Sequence, residues 1–319
     1  MYWRILACLL LSTPGWVSPA ANLASGSVPG AENPAGVVAN PRANLIFKSG
    51  FEDGVSLQPP YNDGGGAWFQ DLVGADGSGY AWPMHVWGAD GTFQVLVDSS
   101  LDPNEYLENT LENTIGHDGM PTRALHMVQH QKAEGWTQDP YIFETGGIES
   151  GDIYVSYWMK YPSDLLARIG PDGWFAFLEW KTCCNDDRIA AYVYTDAPGS
   201  VLYWYVQNDN ETDDAPNHQI YWDRENHEVP VPVGTWFRVE AFLHRSTGQD
   251  GRFWWAVNGQ TVVDYHGPNK HTETFNRFMP FTLYTNAQQM DIWIDDIQIW
   301  DGLPHRILPL GKNRPAGHR

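Results

Sequence analysis

The chain has 319 residues, 42% hydrophobic and 14% aromatic, enough for one large folded domain. It carries 19 Lys and Arg against 39 Asp and Glu, a formal net charge of −20. That balance argues against nucleic-acid binding, which needs a basic face, and against docking on anionic membranes.

Arg4, the apolar run Ile5–Leu11 and the small residues up to Ser18 and Ala20 read as a signal peptide over residues 1–20. The apolar run is far shorter than the roughly 20 residues a membrane span needs. The expectation is a protein secreted outside the cell or into a periplasm. Residues 21–43, rich in Ala, Gly, Pro and Asn, read as a flexible leader. Residues 44–303 form one domain, expected to be monomeric, and 304–319 a tail. After signal removal only Cys183 and Cys184 remain, adjacent to each other. Two reduced thiols, an intermolecular bridge and a strained vicinal disulfide all stay open.

Along the domain, helix signals are confined to Tyr106–Asn113 and to Ser163–Ile169, with Ser163 as N-cap. Strands are predicted over Asn44–Lys48, Arg123–Gln131, Asp152–Tyr161, Trp174–Thr182, Ile189–Thr195, Val201–Asn208 and Thr235–Arg245. Further strands follow over Arg252–Asn258, Gln260–Tyr265, Phe281–Thr285 and Met290–Trp300, with Asn258-Gly259 as a hairpin turn. So many strands in one domain imply an all-β fold, a two-sheet antiparallel jelly-roll β-sandwich of the concanavalin A-like kind.

Alternation sorts three successive strands into faces. Trp174, Ala176, Leu178 and Trp180 read as one apolar face, with Phe175, Phe177, Glu179 and Lys181 opposite. Ala191 and Val193 oppose Tyr192 and Tyr194. Leu202, Trp204 and Val206 oppose Tyr203, Tyr205 and Gln207. If these strands are neighbours, Glu179, Lys181, Tyr192, Tyr194, Tyr203, Tyr205 and Gln207 share one sheet surface. Flat aromatics among fixed polar groups suit a carbohydrate chain, although tyrosine is also common on plain solvent-facing strands.

The segment Phe177-Leu178-Glu179-Trp180-Lys181-Thr182 resembles the jelly-roll polysaccharide lyases, the group of heparin lyase I, glucuronan lyase and some alginate lyases. The opening Leu45–Gly54, the back-sheet-like Val233–Glu240 and the closing Asp291–Ile297 are similar to theirs as well. The resemblance spans residues 45–301. It implies β-elimination on a uronic-acid-containing polysaccharide. Such chemistry needs a group that neutralises the C6 carboxylate, a base for the C5 proton and an acid for the departing O4. By position, Lys181 replaces a family histidine, as base when neutral or as neutraliser when charged. Tyr203 or Tyr205 is then the acid, Gln207 a binder of carboxylate or hydroxyl, and Arg188 a second cation. Tyr192 and Tyr194 complete the substrate surface. Glu179 departs from the family pattern, standing where an amide is expected, and a carboxylate there repels a uronate. His130, with His126, is an alternative base from another strand.

Hydrolysis needs two opposed carboxylates. The Glu-x-Asp-x-Glu run that sandwich glycosidases carry is absent, which leaves only Glu179 and Glu240 to meet across strands. No esterase, zinc-protease or phosphate-loop motif occurs. In related sandwiches the first and last strands are neighbours and hold structural Ca²⁺, which implies Glu52 and Asp296 as side-chain ligands here. The competing reading of the whole surface is a non-catalytic, lectin-like carbohydrate-binding domain.

Overall fold

Strands that alternate apolar and polar side chains must bury one face, and this chain does so by packing two sheets. The structure is a computed structural model. It describes residues 43–62, 68–95, 101–133, 137–144, 152–182, 187–210, 218–271, 275 and 277–304. The signal peptide, nearly all of the leader, Cys183, Cys184 and the residues after 304 lie outside them. In chain order the strands begin with β1 (Leu45–Ser49), β2 (Val55–Leu57), β3 (Tyr61–Asn62), β4 (Trp68–Gln70), β5 (Leu72–Gly74), β6 (His85–Val86), β7 (Ala89–Asp90) and β8 (Thr92–Val95). A 3-10 turn at Pro103–Glu105 leads into β9 (Leu107–Ile115), β10 (Pro121–Gln129), β11 (Gln138–Glu144) and β12 (Ile153–Lys160). After helix α1 (Leu165–Ile169) come β13 (Trp174–Lys181), β14 (Arg188–Thr195), β15 (Leu202–Asp209) and β16 (Ile220–Asn226). The chain closes with β17 (Trp236–His244), β18 (Arg252–Val257), β19 (Gln260–His266), β20 (Arg277–Thr285) and β21 (Met290–Trp300).

One sheet runs β19-β18-β17-β12-β21-β10-β9, with β1 also paired to β21. The other runs β16-β15-β14-β13-β20-β11-β8-β4-β3. The order brings together strands far apart in sequence, β12 with β21 and β13 with β20, all antiparallel. This is the expected jelly roll. The core between the sheets is aromatic: Trp204 and Trp255 meet edge to face at 5.2 Å, and Trp180 stacks on Phe278 at 5.0 Å. Asn258 and Gly259 both take positive φ, 51° and 73°, as a tight right-twisted hairpin requires.

Three local readings are corrected. Residues 106–113 are not an α-helix; Tyr106 closes the 3-10 turn, and β9 takes the rest and pairs with β10 along its whole length. The segment repeats Leu-Glu-Asn-Thr, so its leucines fall four apart, a spacing that suits a helix turn and a strand face alike. Asn and Thr are weak helix formers, and the edge of β10 decides the matter. Helix α1 starts after Asp164 rather than Ser163, without a side-chain cap.

The third correction concerns β13. Its register with β14 slips between Ala176 and Leu178. At this β-bulge both Phe177 and Leu178 turn inward and are fully buried. Upstream of it Phe175 and Phe177 belong to the core, while Trp174 and Ala176 pack on the outer face. Downstream, Leu178 and Trp180 point inward and Glu179 and Lys181 outward, as expected. In β14 and β15 the alternation holds throughout, with Ala191, Val193, Trp204 and Val206 in the core.

Asp139 of β11 is fully buried, its Oδ2 accepting from Asn109 Nδ2 at 2.7 Å. Burial pushes its carboxyl up to about 7. A carboxyl raised in the folded state costs nothing below the unfolded pKa near 4, and the cost grows as pH rises through 7. Asp139→Asn is therefore expected to melt above the parent at pH 8, by at least about 2–4 °C, and to lose that advantage by pH 4. Thermal melts across that range check it; an advantage independent of pH would refute it.

Candidate functional site

Because β11, β20, β13, β14 and β15 lie side by side, their outward residues form rows across one face. The first row is Glu144, Arg277, Lys181, Arg188 and Asp209, each paired with the next across a strand boundary. The second is Met279, Glu179, Ala190, Gln207 and, from β16, Asp223. The third is Tyr284, Ala176, Tyr192, Tyr205 and Glu225, and the fourth is Trp174, Tyr194 and Tyr203. From Arg188 to Tyr194 the face extends about 20 Å at roughly 3.3 Å per residue, enough for several sugar rings.

The first row is charged and, apart from Glu144, poorly exposed; the second adds a buried Glu179 and an exposed Asp223. Arg188 forks onto Asp209, Nε to Oδ1 at 2.9 Å and Nη2 to Oδ2 at 2.7 Å. Gln207 Nε2 donates to the same carboxylate at 2.5 Å, and His218 Nε2 lies 3.5 Å from it. Lys181 Nζ is 3.5 Å from Glu179 Oε1, and Arg277 Nη2 is 2.8 Å from Glu144. Side-chain exposure is 11% for Lys181, 12% for Arg188 and zero for Asp209. At such burial each cation needs a partner, and the carboxylates provide it.

The other two rows are aromatic. Tyr192 lies beneath Trp174, Tyr194 and Tyr205, with ring centroids 6.1, 5.5 and 6.1 Å away. Trp174 meets Tyr284 edge-on at 4.7 Å, and Tyr203 stacks on His227 at 4.4 Å. Tyr205 Oη donates to Asp223 at 3.1 Å. Burial first, then the Asp223 carboxylate, push the Tyr205 phenol up. Burial likewise raises Tyr192, Tyr194 and Tyr203. All four phenols therefore hold their protons at neutral pH. They can donate a proton or a hydrogen bond but are poor bases.

The structure thus brings Glu179, Lys181, Arg188, Tyr192, Tyr194, Tyr203, Tyr205 and Gln207 onto one face. Tyr192 is a floor residue there, only 4% exposed, rather than a platform a sugar touches. His130 is not with them. β10 pairs with β9 and β21, so His126 on it and His130, the residue after its end, lie with the opposite sheet. His130 faces Glu108 at 2.9 Å, and His126 stacks on Trp293 at 4.3 Å between Glu112 and Asp291. Glu240 is also on that sheet, accepting from Tyr154 Oη at 2.8 Å, and does not oppose Glu179.

The sequence reading missed Asp209, Arg277, Glu144, His218, Trp174 and Tyr284. Asp209 was one more step along the alternation Tyr203, Tyr205, Gln207. Trp174 was hidden by the bulge. Arg277 and Glu144 needed the non-local β11–β20–β13 order.

In the other sheet, β1 does neighbour β21, as expected for the calcium reading. Glu52 Oε1 and Asp295 Oδ2 both accept from Thr122 Oγ1, at 2.7 and 3.0 Å, and Asp296 Oδ2 lies 3.0 Å from His117 Nε2. Gly50 packs between Asp295 and Asp296. Burial, then the Asp296 and Glu52 carboxylates, push Asp295 up to about 7. Three carboxylates crowd together, yet no group of three His, Cys, Asp or Glu among the described residues is arranged to hold a metal ion. Nor is any helix among them long and apolar enough to cross a membrane.

No family model matches the sequence, and no curated protein matches it. Solved structures similar to it include the alginate lyase Aly36B, in a variant bound to an alginate tetrasaccharide. That match has 14% identity, covers 55% of this chain and 80% of that one, and has a TM-score of 0.38. An endo-beta-1,4-glucuronan lyase from the fungus Trichoderma reesei matches at 15% identity, covering 61% and 90%, with a TM-score of 0.42. The cellulose induced protein Cip1 matches at 16% identity, covering 61% and 85%, with a TM-score of 0.36. Polysaccharide lyases of the jelly-roll kind are thus among the structures this chain is similar to.

Proposed function

We propose that the protein is a secreted polysaccharide lyase that cleaves a uronic-acid-containing glycan by β-elimination at the face built by β13, β14 and β15. The observation that carries this is the placement of three cations, Arg277, Lys181 and Arg188, in one row of the same face that carries the protonated phenols, with the row of Glu179 and Gln207 between them. Arg188 and Lys181 neutralise the C6 carboxylate, which acidifies C5–H. A base takes that proton, its electron pair forms C4=C5, and the C4–O4 bond breaks. Tyr205 gives its proton to the departing O4. With His130 on the other sheet, His218 on the rim beside Asp209 is the base. Lys181, matched by Glu179, serves as the ammonium.

Incubating the purified protein with alginate, glucuronan, heparin-type and other uronate polymers tests the reading through the absorbance of the unsaturated product. Binding without product from any of them would leave a lectin-like module instead.

A calcium ion held by Glu52 and Asp296 with backbone carbonyls is part of the same proposal; the support is the pairing of β1 with β21, which brings Glu52 onto the Thr122 hydroxyl that Asp295, next to Asp296, also shares. Millimolar Ca²⁺ after chelation should raise the melting temperature, by several degrees if the site is filled about a hundredfold above its Kd. An unchanged melt would remove the ion from the structure. Secretion is tested by the mature N-terminus, expected after Ala20.

A further inference from the structure

The other sheet has polar side chains of its own that converge on a cavity. Pairing lays Lys48, Gln298, Ser156 and Glu240 in one row across β1, β21, β12 and β17, and puts Trp158 beside Arg238 in the next. They alternate with the core residues Phe47, Ile297, Val155 and Val239, so they face outward. Lys48, Gln298, Ser156, Trp158 and Arg238, with His117 and Asp296, line a cavity of about 230 Å³. Pockets for drug-sized ligands begin at roughly 300 Å³, so this one suits a single sugar unit. We infer that it is a second, non-catalytic binding point for a carboxylated sugar, on the side of the sandwich away from Lys181 and Arg188.

The donors in the cavity are unused. Among the described residues, the Lys48 ammonium has no ion-pair or hydrogen-bond partner and the Gln298 amide bonds to nothing. Arg238 uses only Nη2, which lies 3.4 Å from Tyr154 Oη and from Glu240 Oε1, and this leaves its Nε and Nη1. Tyr154 Oη also donates to Glu240 at 2.8 Å, so that buried carboxylate is already matched. Asp296 is the one carboxylate in the lining, and His117 Nε2 engages it at 3.0 Å. His117 also stacks on Trp158, centroids 3.9 Å apart and planes 3° from parallel, which makes a flat wall. Two cations with open N–H groups, an open amide and a flat ring suit a sugar that carries a carboxylate. Lys160, further along β12, takes no part: it lies over Trp293 at 4.0 Å, near the charges of Glu112 and Asp291. The two sheets are about 10 Å apart before their outer side chains are counted. A short oligosaccharide therefore occupies one face at a time, while a polymer can use both and stay near the enzyme. The lyase reading enters only in the choice of glycan.

The test titrates the full chain calorimetrically with tetrasaccharides of alginate and of glucuronan, and repeats this on Tyr205→Phe so that cleavage does not intervene. Two sites per chain are expected. Lys48→Ala/Gln298→Ala removes side chains that bond to nothing, so it should melt with the parent. It should weaken one site at least about tenfold, the usual worth of a charge-assisted contact, and leave kcat on the tetrasaccharide parental. Cellotetraose, which has no carboxylate, should leave that site empty in the unmutated protein, and millimolar acetate should not displace the uronate. One site per chain, two sites that the double variant leaves unchanged, equal binding of cellotetraose, or displacement by acetate each overturns the inference. None of these results touches cleavage, so the lyase reading survives them. Absence of unsaturated product with the second site present would sink the lyase reading alone.

Discussion

Tyr205→Phe is expected to lower kcat by about 10²–10⁴-fold, the usual worth of a positioned general acid, with affinity for the glycan near parental. The reason is local. Tyr205 is the phenol whose Oη meets a carboxylate, donating to Asp223 at 3.1 Å, and burial with that charge keeps it protonated. The substitution removes the proton donor but keeps the ring, which packs against Tyr192 and Tyr194 at 6.1 and 5.0 Å. Tyr203→Phe is the control. That ring is stacked on His227 at the rim, so a loss of less than about tenfold is expected. His218→Gln should cost as much as Tyr205→Phe if the imidazole takes the C5 proton. Rates of unsaturated product with circular dichroism as a folding check decide the matter. Full turnover by Tyr205→Phe would remove this phenol from the mechanism.

The second large effect is on stability. Arg245→Ala is expected to cost about 3–5 kcal/mol, because it strands a buried carboxylate. Arg245 Nη2 lies 3.0 Å from Asp187 Oδ2, with side-chain exposures of 3% and zero. Asp187 also accepts from Asn208 Nδ2 at 2.7 Å and from the His271 backbone at 3.1 Å. The guanidinium sits 3.4 Å from the centroid of Phe275. One carboxylate thereby ties the start of β14 to β15, to the end of β17 and to the loop after β19. Arg245→Lys should recover only part of the loss, since an ammonium lacks the planar fork. Removing both partners should cost less than the two single losses added together. Denaturant melts of Arg245→Ala, Arg245→Lys, Asp187→Ala and the double variant check this; an Arg245→Ala variant within about 1 kcal/mol of the parent would mean the pair is not buried in solution. Asp187 precedes Arg188, so a loosened pair should also blunt the site's grip on its substrate.

The faces of β14 and β15 were legible because their alternation is unbroken, and tyrosines opposite Ala191, Val193, Trp204 and Val206 have only one way to point. The cation row was half legible. Arg188 and Lys181 follow from local pattern, but Arg277 and Glu144 enter through strand order, which no local pattern encodes. The same blindness put His130 at the wrong sheet. Nor could periodicity show that Tyr192 would lie under its neighbours, since depth on a sheet face depends on ring packing. In β9, leucines four apart suited two periods, and pairing with β10 settled what spacing could not.

The bulge at Phe177 and Leu178 works as a phase inverter on the strand that carries Glu179 and Lys181. Because two consecutive residues there face inward, deleting either one would restore strict alternation and leave Glu179 and Lys181 outward and Trp180 inward. A single-residue deletion at this spot should therefore be tolerated far better than one elsewhere in the strand, where it would turn every following side chain to the other face. A relative that lacks the extra residue would carry the same chemistry on the same side with an unbroken alternation.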